Sequence, residues 1–176
     1  MEIINVTLKI PKASILFIEC YGLLPWLLEV VKNLHKVNEV QHIELIVKIM
    51  NKLLNTILNI KGDVIHYKLM LLNVALCLKS YLVKDIKIKT FILYINILQK
   101  LILLKHIKII VTKEYILEIL EFSKKLLDNI EECDDMLRFG CEYVTKVDFL
   151  KSDDEIEIAK NSLRTLIWTW CIHEVD

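Results

Sequence analysis

The sequence predicts an all-α protein built from stacked antiparallel helix pairs, and three observations lead to this fold class. Apolar residues make up 55% of the 176 residues, which is above the usual share for a globular protein. Only three glycines and two prolines interrupt them, which is too few turn-forming residues for a protein of many strands. Apolar side chains also recur at i, i+3, i+4 and i+7 along most of the chain, as in amphipathic helices.

The spacing of the predicted helix starts indicates how the helices are arranged. Starts near residues 39, 64, 90 and 113 place a helix pair about every 49 residues, close to the roughly 40 to 47 residues of HEAT and armadillo repeats. An irregular helical bundle, such as four helices with additional terminal ones, fits the same pattern and stays open as the alternative. Because no Gly/Ser-rich linker divides the chain, we expect residues 1–176 to form a single α-helical domain.

Glycine and proline mark the first two predicted helices. Pro11 suits the first turn of a helix that runs to about residue 21, where Gly22 ends it. Pro25 suits the first turn of the next helix, which runs to about residue 35. We expect Trp26 to be the large apolar anchor that packs these two helices together.

Two long apolar helices are predicted next. Asn38 and Gln41 have the spacing of a capping box, before a helix that ends near Gly62. Its apolar stripe consists of Ile43, Ile46, Val47, Met50, Leu54, Ile57 and Leu58. Asp63 is the residue type of an N-cap for a helix through about Val83, which we expect to lie at the centre of the core.

In the middle of the chain, the sequence predicts one buried helix and one surface helix. The buried helix runs from about Thr90 to His106, although its β-branched residues are also typical of a strand. Thr112 has the residue type of an N-cap for an amphipathic helix. The predicted apolar stripe of that helix is Ile116, Ile119, Leu120, Leu127 and Ile130, and its predicted water-facing residues are Glu121, Lys124, Lys125 and Asp128.

In the last part of the chain, the sequence predicts a loop followed by a long helix. Helical periodicity weakens between Cys133 and Lys151, where we expect a long loop with a short helix near residues 142–147. Ser152 and Glu155 have capping-box spacing and begin the final helix. The predicted apolar stripe of this helix is Ile156, Ala159, Leu163, Leu166, Ile167 and Trp170.

The cysteines and the apolar stretches bear on cellular location. Five scattered cysteines without a CxxC motif do not form a disulfide framework, so we expect a reducing compartment. The N-terminus lacks the pattern of a signal peptide. The fullest apolar stretch, residues 91–104, is short for a membrane span and contains polar residues, so membrane association is the least favoured alternative.

Motifs of catalysis are missing from the sequence. The three glycines are too far apart to form a dinucleotide-binding or phosphate-binding loop. Common hydrolase, metalloprotease and deaminase signatures are missing as well. Cys133, Cys141, Cys171 and His173 match no zinc module. We therefore expect no enzymatic activity, no metal, no cofactor and no small-molecule substrate.

Charge is unevenly distributed although the formal net charge is zero. Residues 1–113 carry a net charge of +9 and residues 114–176 a net charge of −9, which is typical of solvated faces or of two docking surfaces. RNA binding is an alternative function because lysines concentrate in the middle of the chain. The candidate RNA contacts are Lys84, Lys87, Lys89, Lys105, Lys108 and Lys113. Only two arginines and no aromatic RNA-binding signature weigh against it.

Trp168 and Trp170 are the candidate contacts to a protein partner. Residues two apart point to different sides of a helix, so we expect one tryptophan to pack inward and the other to be partly exposed. Exposed tryptophans often anchor protein interfaces.

Two stretches of the sequence carry a family resemblance. Residues 15–27 (ILFIECYGLLPWL) and 166–171 (LIWTWC), with a helical array between them, resemble the C-terminal domain of the nucleolar pre-ribosomal-associated protein one family. The resemblance implies the C-terminal part of a large, non-enzymatic helical-repeat scaffold of large-subunit (pre-60S) ribosome assembly. It also implies a nucleolar location, with ribosome-assembly proteins and pre-rRNA as partners, and no catalytic residues.

Overall fold

The computed structural model describes residues 22–34, 40–60, 64–82, 86–102, 111–128, 130–139 and 153–175. These ranges are helical and contain no strands, which confirms the all-α prediction for the described part of the chain. In particular, the stretch rich in β-branched residues, which is also typical of a strand, is helical from Ile88 to Ile102. The helices are α1 (Leu23–Lys32), α2 (Val40–Leu58), α3 (Ile65–Lys79), α4 (Ile88–Ile102), α5 (Lys113–Leu126), α6 (Glu131–Phe139) and α7 (Glu155–Val175).

The chain divides into two compact units, Met1–Ile86 and Lys87–Asp176. In the first unit, α3 packs on α1 and also contacts α2. The Tyr81 hydroxyl, just after α3, donates a hydrogen bond to the backbone oxygen of Lys32 at the end of α1, at 3.3 Å. The C-terminal ends of α1 and α3 therefore lie side by side, and the two helices run in the same direction.

Helix α1 differs from its prediction in where it begins and in what it buries. It begins at Leu23, so Pro25 is its third residue, still in the first turn. Gly22 precedes it in the left-handed conformation, with a φ of 58°, which glycine adopts without strain. Because Leu23, Leu24 and Leu27 take the buried positions, Trp26 points away from the core and is 40% exposed. The prediction that Trp26 anchors the core is wrong, and the helix predicted over residues 11–21 lies outside the described residues.

Helix α2 forms largely as predicted and contributes more buried apolar residues to the first core than α1 or α3 does. Its predicted stripe is buried from Ile43 to Ile57, and Ile49 and Leu53 are buried as well. Leu58 is 47% exposed, contrary to prediction, because it is the last residue of the helix. The predicted caps Asn38 and Asp63 lie outside the described residues. The N-cap of α3 is Val64, which makes no side-chain cap hydrogen bond.

In the second unit, α4 and α5 form an antiparallel pair. The ring of Phe91, early in α4, lies 5.7 Å from the ring of Phe122, late in α5. The hydroxyl of Tyr94, one turn further along α4, is 2.6 Å from the hydroxyl of Tyr115, at the start of α5. The two helices therefore run in opposite directions. Thr112 caps α5 as predicted, since its hydroxyl oxygen accepts a hydrogen bond from the backbone N–H of Tyr115.

Helix α7 packs extensively on α4 and also contacts α6. At one end, Lys89 of α4 forms an ion pair with Glu155 of α7, with 3.0 Å between Nζ and Oε1. At the other end, the indole N–H of Trp170 donates to the backbone oxygen of Val111, just before α5, at 3.0 Å. Because both helices begin at the Lys89–Glu155 ion pair and pack extensively on each other, α4 and α7 run parallel.

The loop predicted between Cys133 and Lys151 is wrong for its first residues, which belong to α6. Helix α5 ends at Leu126, and Leu127 has an extended backbone, yet both Leu127 and Ile130 are buried as predicted. Cys133, Met136 and Leu137 continue the buried stripe along α6. The acidic residues between them concealed this periodicity. The short helix predicted near residues 142–147 lies outside the described residues.

Helix α7 begins as predicted but with a different cap. The carboxylate of Asp154 accepts a hydrogen bond from the backbone N–H of Ile156 at 3.3 Å, and Ser152 lies outside the described residues. Ile156 is 41% exposed, contrary to prediction, since it lies in the first turn of the helix. The rest of the predicted stripe is buried: Ala159, Leu163, Leu166, Ile167 and Trp170.

Candidate functional site

The outward side of α7 carries the candidate functional site. Trp168 is 38% exposed, opposite the buried stripe of the helix. At about 100° per residue, five further residues fall on the same side of α7. We define the Trp168 face as Glu157, Asn161, Arg164, Thr165, Trp168 and Ile172. The other five are half-buried, so the indole is the most exposed side chain of this face.

A hydrogen-bonded network holds the polar side chains of the Trp168 face in place. The Arg164 guanidinium donates through Nη1 to Glu157 Oε1 at 2.9 Å and to Asn161 Oδ1 at 2.7 Å. The accessible fraction is 13% for the Arg164 side chain and 32% for the Glu157 side chain. Because these groups already hold one conformation, a partner that docks here would lose less side-chain entropy. This network was not predicted from the sequence, although the helical spacing of Glu157, Asn161 and Arg164 could have indicated it.

Trp170 has a different role from Trp168. It is 7% exposed, and its indole N–H is bonded to the backbone oxygen of Val111. The prediction that one tryptophan packs inward and the other is exposed is confirmed. Trp170 therefore stabilises the second unit and leaves Trp168 as the candidate partner contact.

Three of the six predicted RNA-binding lysines lie in the described part of the chain. Lys87 and Lys89 are exposed at the start of α4, whereas Lys113 is exposed at the start of α5. Lys113 lies two residues before Tyr115, whose hydroxyl contacts that of Tyr94 in the middle of α4. Lys89 is also paired with Glu155. Lys84, Lys105 and Lys108 lie outside the described residues.

A cleft of about 340 Å³ lies between the end of α5 and the start of α6. It is lined by Lys124, Leu127, Asp128, Ile130, Glu131 and Asp134. The Lys124 ammonium is 3.0 Å from Asp134 Oδ2 and 3.0 Å from Glu121 Oε1. Hydrogen bonds to Asp134 and then to Glu121 raise the pKa of Lys124. This cleft was not predicted from the sequence, because α6 was predicted to be a loop.

A buried pair of tyrosines lies between α4 and α5. The Tyr94 and Tyr115 hydroxyls are 2.6 Å apart, so each satisfies the other in the core. Burial raises the pKa of Tyr94 well above its ordinary value, and the neighbouring Tyr115 adds to this effect. The pair joins residues 21 positions apart, which no local sequence pattern indicates. It fixes the register of the two helices.

Cys77, Cys133 and Cys171 are free thiols, and the Cys171 thiol donates to the backbone oxygen of Met136 at 3.9 Å. In the ranges that the structure describes, no three His, Cys, Asp or Glu residues are arranged to hold a metal ion. Cys141 and the side chain of His173 lie outside those ranges. None of the described helices is both long enough and apolar enough to cross a membrane.

Comparison of this chain with protein-family models, curated proteins and solved structures gave no match. The geometry of the Trp168 face and the resemblance at residues 15–27 and 166–171 therefore remain as the support for a function.

Proposed function

We propose that this chain is a non-enzymatic helical scaffold that binds other protein factors during assembly of the large ribosomal subunit. The observation that carries the proposal is the exposed indole of Trp168 on a helix whose opposite side is locked into the core. Tryptophan and arginine are enriched among the residues that dominate binding energy at protein interfaces. The Trp168 face presents both residue types on one rigid helix.

The character of the Trp168 face favours a protein partner over a nucleic acid. Glu157 compensates the charge of Arg164, so the six residues of this face carry no net charge. Nucleic-acid binding depends on uncompensated positive charge facing the phosphates. A neutral face with a protruding indole is instead typical of the centre of a protein interface.

The ribosomal context comes from the family resemblance. Residues 166–171 of that resemblance include Trp168 itself and belong to α7. The proposal includes HEAT/armadillo-like stacking of helix pairs, which the antiparallel α4–α5 pair supports. It also includes a nucleolar location, ribosome-assembly proteins as partners, pre-rRNA in the same particle, and a larger helical-repeat protein of which this chain is the C-terminal part.

The experiment compares affinity purification of the wild-type protein with that of the variant Trp168→Ala. We expect the wild-type protein to recover large-subunit assembly factors from nucleolar extract and the Trp168→Ala variant to lose at least one of them. Trp26→Ala is the matched control, because Trp26 is a tryptophan of nearly equal exposure in the first unit. Recovery of cytoplasmic or membrane proteins alone would contradict the proposal, as would an equal loss in both variants.

A further inference from the structure

We draw no further inference here: the strongest candidate, the side of α3 on which the apolar residues Leu69, Met70 and Leu76 are half-buried around the exposed Asn73, carries none because nothing in the described part of the chain shows what covers it.

Discussion

The two units of this protein build their cores from different side chains. In the described part of the first unit, no buried apolar residue is aromatic, and Ile46, Leu53 and Leu72 are fully buried examples of its aliphatic residues. The core of the second unit contains aromatic residues as well, and three of them, Tyr94, Tyr115 and Trp170, make buried hydrogen bonds to distant residues. Aliphatic packing is non-directional, whereas a hydrogen bond is satisfied in one geometry only.

The difference shows two ways of specifying how helices pack. In the first unit, the volume and spacing of aliphatic side chains determine the fit, so substitutions that conserve volume should be tolerated. In the second unit, the Tyr94–Tyr115 and Trp170–Val111 hydrogen bonds tie α4, α5 and α7 to defined positions. There, even a small change of side chain leaves a buried polar group unsatisfied.

The largest expected effect is in the first unit. Leu53→Ala should lower the free energy of unfolding by about 2 to 5 kcal/mol, because it opens a cavity in a fully buried site. Leu53→Met nearly conserves the volume and should cost less than about 1.5 kcal/mol. Urea unfolding followed by circular dichroism measures both changes, with Leu58→Ala at an exposed position as the control. If Leu53→Met costs as much as Leu53→Ala, the first core is not specified by volume.

The next effect concerns Trp170. Trp170→Phe keeps an aromatic ring but leaves the Val111 carbonyl without its donor, so we expect a loss of about 1 to 3 kcal/mol. Trp168→Phe is the matched control on the exposed side and should change stability by about 0.5 kcal/mol or less. Thermal unfolding measures both. Equal losses would mean that the hydrogen bond of Trp170 does not distinguish the two tryptophans.

A smaller effect is expected at the tyrosine pair. Tyr94→Phe and Tyr115→Phe each leave one buried hydroxyl unpaired and should each cost about 1 to 2 kcal/mol. The double variant removes both hydroxyls and should cost less than the sum of the two single variants. Urea unfolding of the four proteins measures this coupling. Additive losses would show that the two hydroxyls do not stabilise the second unit together.

The smallest effect is a dependence on alkaline pH. Burial raises the pKa of Tyr94, so above about pH 10 the unfolded chain releases this proton while the folded chain keeps it. The contribution of Tyr94 to stability is therefore fully present below about pH 10 and is lost as the pH rises further. The free energy of unfolding, measured in urea at a series of alkaline pH values, should fall less steeply with pH for Tyr94→Phe than for the wild-type protein. Identical slopes would contradict this assignment.

Sequence patterns predicted the features that depend on nearby residues. The periodicity of α2 and the Thr112 cap of α5 involve residues within a few positions, and both are confirmed. Helix α6 was missed because Asp134 and Asp135 interrupt a stripe that includes Cys133 and Met136. The acidic run was interpreted as a loop, although every third residue from Ile130 to Met136 is buried.

Features that depend on tertiary packing were not predictable from local patterns. Trp26 was expected in the core because it is large and apolar, yet three leucines beside it fill the available space. The parallel packing of α7 on α4 follows from contacts between residues far apart in sequence. For the candidate site, the sequence predicted that one of Trp168 and Trp170 is buried and the other exposed. The cleft between α5 and α6 could not be predicted, because α6 itself was not predicted. The prediction of a single domain over residues 1–176 stays a prediction.

The parallel packing of α7 on α4 has a consequence for how the chain acquires its structure as it is synthesised. Helix α4 ends at Ile102, whereas α7 begins at Glu155. The apolar side of α4 that α7 covers is therefore translated well before its covering helix exists. During that interval the nascent second unit exposes surface that is prone to aggregation, so it should depend on chaperones more strongly than the first unit, whose core is translated earlier.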